Sequence, residues 1–125
     1  MYIKKYTNGK EIIYYLLNNK HDKIINKIGF LSFVIIPEYM ILKNGKKYIK
    51  NNECHIEFIL INDGYKNNGY GTYLLNKLFE YCKNNNINSI TLEDCSDRCF
   101  IDRNIYINNG FKYIDKYSGE MIKYI

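Results

Sequence analysis

Six consecutive residues of this sequence, Lys66-Asn67-Asn68-Gly69-Tyr70-Gly71, have the composition of a loop that binds phosphate. The apolar run His55–Ile61 precedes them and indicates a buried strand, and leucines with helical spacing follow from Leu74 onward. A loop between a strand and a helix points unpaired main-chain N–H groups and the positive end of the helix dipole at one spot, which suits a phosphate. The same residues could instead form only a tight turn, because Gly-x-Gly alone is a weak signal.

The elements that position this loop begin with strands. Two hairpins are predicted from Asn-Gly turns: Tyr2–Tyr6 with Glu11–Leu17 around Asn8-Gly9, and Met40–Lys43 with Lys47–Lys50 around Asn44-Gly45. Residues 11–22 leave two interpretations open, because the spacing of apolar residues in Glu11–Leu17 also fits a helix. Its β-branched and aromatic residues favour a strand, followed by a loop over Asn18–Asp22.

Extended chain is predicted for Lys23–Ile36, as two strands or as one long bent strand, with a bulge or a close backbone contact at Gly29. Pro37 is expected to end it, because proline cannot donate to a sheet ladder. The Cys54–Ile61 strand then leads into the loop.

The second half of the chain alternates helix and strand. A helix is predicted over Tyr73–Lys83 and is stopped by Asn84-Asn85-Asn86. The strand Ser89–Asp94 should then lie parallel to Cys54–Ile61, as in a βαβ unit. A short helix is predicted from Ser96 to Asn109-Gly110, and it carries the apolar side chains Phe100, Ile101, Ile105 and Tyr106. A last hairpin joins Phe111–Asp115 to Glu120–Tyr124 around Ser118-Gly119.

Composition limits the class of protein. The 125 residues, 46% hydrophobic and 25% charged, are typical of one globular domain spanning 1–125. No apolar run approaches the roughly 20 residues of a membrane span, so no membrane partner is expected. The N-terminal sequence lacks the apolar segment of a signal peptide, which predicts a cytoplasmic protein.

The cysteines and the net charge suggest partners without specifying them. The cysteines, Cys54, Cys82, Cys95 and Cys99, lack paired metal-site spacing, so free thiols and no metal are expected. The net charge of +5 favours anionic partners. Its lysines are spread along the chain without a nucleic-acid motif, which argues against nucleic acid, and the sequence is compatible with a homodimer.

Two motifs together resemble one family. The loop Lys66–Gly71 is similar to the acetyl-CoA-binding motif of the GNAT superfamily of N-acetyltransferases, which reads Arg or Gln, two residues, Gly, one residue, and Gly or Ala. Tyr106-Ile107-Asn108-Asn109-Gly110-Phe111 resembles the second signature, Tyr, three residues, Gly-Phe. Their order and spacing, over roughly the last 70 residues, make the resemblance more specific than either motif alone.

The resemblance implies a fold and a mechanism. The expected fold is α+β, with a mixed, mostly antiparallel sheet, a splayed parallel pair of strands, a few helices and a reduced N-terminal helical region. Acetyl-CoA would bind by its diphosphate to the loop and by its pantetheine arm along a strand edge, and an amine would attack the thioester directly. The implied donor-binding residues are Ile59, Leu60, Ile61, Lys66, Asn67, Asn68, Gly69, Tyr70, Gly71 and Thr72.

Catalytic roles follow from the same resemblance. Tyr106 matches the tyrosine that donates to the sulfur of coenzyme A. His55 occupies the position where histone-acetylating relatives have a glutamate, and imidazole ordinarily titrates near neutral pH. His55 and Glu57 are two residues apart, so strand alternation places them on one face. Glu57 and then Glu93 are the other candidate bases, although either carboxylate could bind the acceptor's cation and His55 could be a structural side chain.

Some positions depart from the family pattern. Lys66 replaces Arg or Gln, and its flexible ammonium group contacts a phosphate with less specific geometry. Asn67 stands where glycine is frequent, and asparagine tolerates left-handed backbone angles. Cys99 stands seven residues before Tyr106, where the family often has Asn. Two other classes of function therefore remain open: a CoA-binding module without catalysis, and a small basic nucleic-acid-binding domain.

Overall fold

A computed structural model describes residues 1–41, 44–45, 47–94, 104–115 and 117–125, and for residues 38–41, 47–51 and 104 it describes the backbone alone. In chain order the elements are β1 (Tyr2–Asn8), β2 (Glu11–Leu17), a 3-10 turn (Ile24–Asn26), β3 (Gly29–Ile41), β4 (Lys47–Ile61), α1 (Tyr70–Asn84), β5 (Ser89–Glu93), α2 (Asn104–Asn108), β6 (Lys112–Asp115) and β7 (Glu120–Tyr124). These strands form one sheet in the order β1-β2-β3-β4-β5-β7-β6. Only β4 and β5 pair in parallel within it. The predicted α+β fold with one parallel pair is confirmed.

The hairpins form where the Asn-Gly sequences predict them. Gly9 and Gly45 have φ of 62° and 82°, which glycine adopts without steric cost. The segment Glu11–Leu17 is a strand, which settles the ambiguity, because it pairs with β1 on one side and β3 on the other. Ser118-Gly119 likewise joins β6 to β7, as predicted.

Two predictions about the segment before β4 are wrong. The stretch Lys23–Ile36 is not extended throughout, because the chain reverses between the antiparallel strands β2 and β3 through the 3-10 turn. Pro37 does not end β3, which continues to Ile41. The pairing of β2 with β3 stops at Val34, so β3 has an open edge at Pro37, where the missing N–H group removes no ladder bond to β2.

Gly29 makes the close backbone contact that its position predicts. A Cβ atom there would meet the carbonyl oxygen of Leu60 on β4. Since a backbone atom cannot move aside as a side chain can, the position requires glycine.

The helix α1 covers one face of the sheet, here called the front face. Four of its buried side chains have helical spacing and pack against the strands: Leu74, Leu75, Leu78 and Cys82. Each fully buried leucine contributes about 2 kcal/mol to stability. The predicted helix over Tyr73–Lys83 is confirmed and begins three residues earlier, at Tyr70.

The opposite face, here called the back face, carries the alternate residues of each strand. Pairing register and burial place on it Tyr15, Ser32, His55, Phe58 and Thr91. No helix in the described ranges is long and apolar enough to span a membrane.

Candidate functional site

The parallel pairing of β4 with β5 covers only part of β4, which continues beyond the end of β5. Their pairing runs from Glu53 opposite Ser89 to Ile56 opposite Leu92 and then stops. At that point Glu57 is an extra residue in β4, because Phe33 pairs with Ile56 and the preceding residue of β3 pairs with Phe58. From the bulge at Glu57 to the end of β4, the edge toward β5 has no strand partner within the described chain. The result is a splayed opening with main-chain groups available along Ile59–Ile61.

Two asparagine side chains shape the loop that follows β4. Asn62 anchors the strand end, because its main-chain N–H donates to the Ile28 carbonyl at 2.9 Å and its Nδ2 donates to the Lys27 carbonyl at 2.7 Å. Asn68 Nδ2 donates to the Lys66 carbonyl at 3.0 Å, which is a hydrogen bond between two residues of the loop itself.

The backbone of the loop turns through positive φ at Asn67 (64°) and Gly69 (79°). The left-handed conformation expected for Asn67 is therefore present. Gly69 is the N-cap of α1 and makes no side-chain cap, so the helix begins with its N–H groups uncovered.

The main-chain N–H groups from Asn67 to Thr72 belong to the left-handed turn at Asn67 and Gly69 and to the first turn of α1. Among the described residues, none of them donates to a protein acceptor. A Cβ on Gly69 would have no atom within 4 Å, and the first turn of α1 holds no acidic residue. A hollow of about 230 Å³ adjoins the loop and is lined by Leu60, Ile61, Asn62, Asp63 and Lys66. This arrangement suits an anionic diphosphate, because unused N–H groups and the positive end of a helix dipole both favour negative charge and the adjoining space is open.

Tyr106 lies in the middle of the short helix α2. The helix ends in a Schellman motif, in which Phe111 N–H donates to the Tyr106 carbonyl at 3.0 Å and Gly110 N–H donates to the Ile107 carbonyl at 3.1 Å. The helix end predicted at Asn109-Gly110 is confirmed. The predicted start at Ser96, together with Cys99, Phe100 and Ile101, lies outside the described residues.

The Tyr106 side chain is only 2% exposed, and its ring packs edge-on against Phe111 at 6.1 Å between centroids. Burial, and secondarily the Asp94 carboxylate, raises the pKa of Tyr106, so the phenol stays neutral at physiological pH. It is therefore available as an O–H donor.

A side-chain bond joins α2 to the start of α1. Asn109 Nδ2 donates to Thr72 Oγ1 at 3.3 Å and to the Ile105 carbonyl at 2.7 Å. Because Thr72 belongs to the first turn of α1, this bond connects the Tyr106 helix to the loop. In the sequence, Asn109 signals only a helix end.

His55 lies on the back face, one strand residue before the splay. It is half-buried, and its Nδ1 is 2.9 Å from Thr91 Oγ1 on β5. The sequence pattern gives no signal for Thr91, because the contact depends on the register of the parallel pair.

Glu57 and Glu93 are both exposed, at the bulge and at the end of β5 respectively. The bulge interrupts the strand alternation that was expected to place Glu57 on the same face as His55. The position of Glu57 is therefore determined by the bulge and not by the two-residue alternation of a regular strand.

Cys54 and Cys82 are free and buried between β4 and α1, as expected of thiols. A hydrogen bond to the Cys82 thiol and burial raise the pKa of the Cys54 thiol, so it stays protonated. The other two cysteines lie outside the described ranges, and within those ranges no three His, Cys, Asp or Glu side chains form a group that could hold a metal ion.

Solved structures share this fold at low sequence identity. A GNAT-family acetyltransferase from Staphylococcus aureus Mu50 is 20% identical, with a TM-score of 0.62, covering 93% of this chain and 68% of its own. Tetrahymena GCN5 is 18% identical, with a TM-score of 0.62 and coverage of 94% and 70%. A predicted acetyltransferase from Clostridium acetobutylicum, solved with acetyl-CoA, is 19% identical, with a TM-score of 0.62 and coverage of 86% and 62%.

A search of curated proteins finds no match. The model of the acetyltransferase (GNAT) family matches residues 4–110, which is most of the sequence and includes β4, the loop, α1 and Tyr106. With the splayed strands and the uncovered helix start, this match shows that the chain belongs to the GNAT family of acetyltransferases.

Proposed function

We propose that this protein is an N-acetyltransferase that moves the acetyl group of acetyl-CoA to a primary amine by direct attack within a ternary complex. The observation that carries the proposal is the run of unused main-chain N–H groups from Asn67 to Thr72, at the mouth of the splayed strands. Family membership and the neighbour solved with acetyl-CoA support the choice of donor.

Residues of the loop and of β4 would hold the donor. The amides of Asn67–Thr72 bind the diphosphate, and Lys66 adds a positive charge beside them while it also pairs with Asp63 at 3.0 Å. The open edge of Ile59, Leu60 and Ile61 would pair with the amides of the pantetheine arm as a further strand would. The donor thereby replaces the strand contacts that β4 loses at the bulge.

His55 is the first candidate for the base that takes a proton from the amine. Attack requires a neutral nitrogen, so the proton must leave toward a base as the N–C bond forms. If Nδ1–H donates to Thr91 Oγ1, Nε2 keeps its lone pair and can accept this proton, which makes Thr91 a positioning residue. Glu57 is the second candidate and Glu93 the third, and either carboxylate could instead bind the acceptor's cation.

Tyr106 would assist the leaving group. As the C–S bond breaks, the departing thiolate gains negative charge, and the neutral Tyr106 hydroxyl donates a hydrogen bond or a proton to it. Because burial keeps this phenol protonated, the residue suits donation and not base catalysis.

A thiol-release assay with acetyl-CoA and a panel of amines tests the proposal. The panel covers polyamines, amino sugars, peptide N-termini and lysine side chains. We expect Tyr106→Phe to lower kcat by about 10- to 100-fold with little change in donor affinity, since one donor acting in the transition state is removed. The exposed Tyr117→Phe is the matched control. Unchanged kcat in Tyr106→Phe would remove Tyr106 from the mechanism.

The two histidines offer a second matched pair. His55→Ala should lower kcat, whereas the exposed His21→Ala should not. Glu57→Gln, tested beside them, assigns the base if His55→Ala retains full turnover.

The alternative classes give different results in the same experiments. Thermal stabilisation by acetyl-CoA without thiol release for any amine would indicate a binding module. No stabilisation by acetyl-CoA, with salt-sensitive binding of oligonucleotides, would indicate a nucleic-acid-binding domain.

A further inference from the structure

A cavity of about 470 Å³ opens on the back face where the parallel pairing of β4 with β5 begins. One residue from each of four neighbouring strands lines it at the same level of the sheet: Ile36, Glu53, Ser89 and Tyr124. Pro37 and two asparagines complete its described lining. Among these lining residues only Glu53 is charged, so the cavity is here called the Glu53 cavity.

The Glu53 cavity adjoins the first candidate base. His55 follows Glu53 by two residues on β4, so strand alternation places both side chains on the back face. The alternation holds here, because β4 pairs with β3 without a register shift from Glu53 to Ile56. Two strand residues span about 6.6 Å, so the carboxylate and the imidazole occupy neighbouring positions along one strand. A small molecule that lies along the strand can therefore reach both.

The back face of β4, β5 and β7 is acidic, although the whole chain has a net charge of +5. From Glu53 onward, its charged residues on these strands are Glu53, Glu93 and Glu120. Lys123 of β7 faces α1 instead, with its Nζ 4.9 Å from the centroid of the Phe79 ring. None of the three glutamates forms an ion pair with another described residue. This part of the surface therefore attracts cationic molecules.

We propose that the acceptor is an alkyl diamine or polyamine, whose reacting amine lies at His55 and whose second ammonium group binds Glu53. This inference rests on the proposed function and names the class of its acceptor. An ammonium group has three N–H donors, which the Glu53 carboxylate and the hydroxyl oxygens of Ser89 and Tyr124 can accept. Ile36 and Pro37 give the cavity an apolar side for methylene groups. The separation of about 6.6 Å is close to that of the two nitrogens in an extended four-carbon diamine.

The second ammonium group takes no part in the bond changes. The neutral amine attacks the thioester carbon, so the N–C bond forms and the C–S bond breaks. His55 takes the proton that the amine loses, Tyr106 supplies the proton with which coenzyme A leaves as a thiol, and solvent restores both residues. The product is the N-acetyl diamine. Because Glu53 contacts the distant nitrogen equally before and during the reaction, it should lower KM and leave kcat unchanged.

Thiol-release kinetics with trimethylenediamine, putrescine and cadaverine test the proposal against butylamine, which is putrescine without its second nitrogen. We expect kcat/KM for putrescine to exceed that for butylamine at least about tenfold, as one hydrogen bond between charged groups provides. Glu53→Gln should reduce this ratio to about one by raising KM for the diamines alone. Glu11→Gln changes another half-buried glutamate of the back face, on β2, and should keep the wild-type ratio.

Glu53→Asp tests the position of the carboxylate. The shorter side chain withdraws the charge by one methylene group, so the preference should move from putrescine toward cadaverine, whose chain is one carbon longer. A purely structural role of Glu53 would leave the preferred chain length unchanged. Thermal melting verifies that each variant is folded.

The outcomes separate this inference from the proposed function. If butylamine is acetylated as efficiently as the diamines, or if Glu53→Gln keeps the preference for diamines, the inference is overturned and the proposed function stands. Faster transfer to an amino sugar or a peptide N-terminus than to any diamine also overturns it. If no amine releases thiol, the proposed function fails and this inference fails with it.

Discussion

Replacing Gly69 by alanine changes the backbone conformations that are allowed at this position without introducing a steric clash. Gly69 has φ of 79°, and an added Cβ would have no atom within 4 Å, so the substitution introduces no clash. Its cost is conformational, because an L-residue with a Cβ pays about 1–2 kcal/mol for left-handed angles. At roughly 4 °C per kcal/mol for a domain of this length, the melting temperature should fall by about 4–8 °C.

The same substitution should weaken donor binding. To escape the strain, the chain would rotate the peptide before Gly69, which turns an N–H group away from the anion site. A hydrogen bond to a charged group is worth about 1.5–3 kcal/mol, so the dissociation constant for acetyl-CoA should rise about 10- to 100-fold. Isothermal titration calorimetry with acetyl-CoA measures this change directly.

Gly9→Ala is the matched control. Gly9 also has positive φ (62°) and an added Cβ there also has no atom within 4 Å, but it lies in the β1–β2 turn. It should lose similar stability and keep full affinity. If both variants lose stability equally and bind acetyl-CoA as the wild type does, the amides around Gly69 do not hold the donor and the reasoning is refuted.

Three further substitutions have defined outcomes. Gly29→Ala should destabilise the fold by about 3 kcal/mol or prevent folding, because the new Cβ meets the Leu60 carbonyl; a urea midpoint equal to wild type would contradict this. Asn109→Ala should lower the free energy of unfolding by about 1 kcal/mol and weaken acetyl-CoA binding, because the Asn109 side-chain amide joins α2 to Thr72. Scanning calorimetry measures the loss of stability, and titration calorimetry measures the loss of affinity. Burial raises the pKa of Tyr14 from 10.0 to about 12, with smaller contributions led by Tyr81. Between pH 10 and pH 12 the unfolded chain loses this proton first, so stability falls as pH rises, by about 2 kcal/mol. In the Tyr14→Phe variant, the free energy of unfolding should therefore fall less between pH 10 and pH 12. If urea unfolding shows the same fall with pH in the variant and in the wild type, Tyr14 is not the group responsible.

Local sequence determined the parts of this protein that depend on a few neighbouring residues. The Asn-Gly turns, the leucine spacing of α1 and the left-handed Asn67 follow from the backbone preferences of those residues themselves. The loop that is proposed to bind the donor could therefore be located before any contact was known. The helix end at Gly110 was predictable for the same reason, since glycine adopts positive φ at little cost.

Only the tertiary structure decided features that depend on which strands are neighbours. The bulge at Glu57 lies where β4 keeps its pairing with β3 and its pairing with β5 has ended, and this position marks where the opening begins. The contact of His55 with Thr91 depends on the register of two strands separated by a helix. Pro37 lies in β3 beyond the residues that pair with β2. None of these follows from local preference, because the energy that fixes them comes from pairing and packing between segments far apart in the chain.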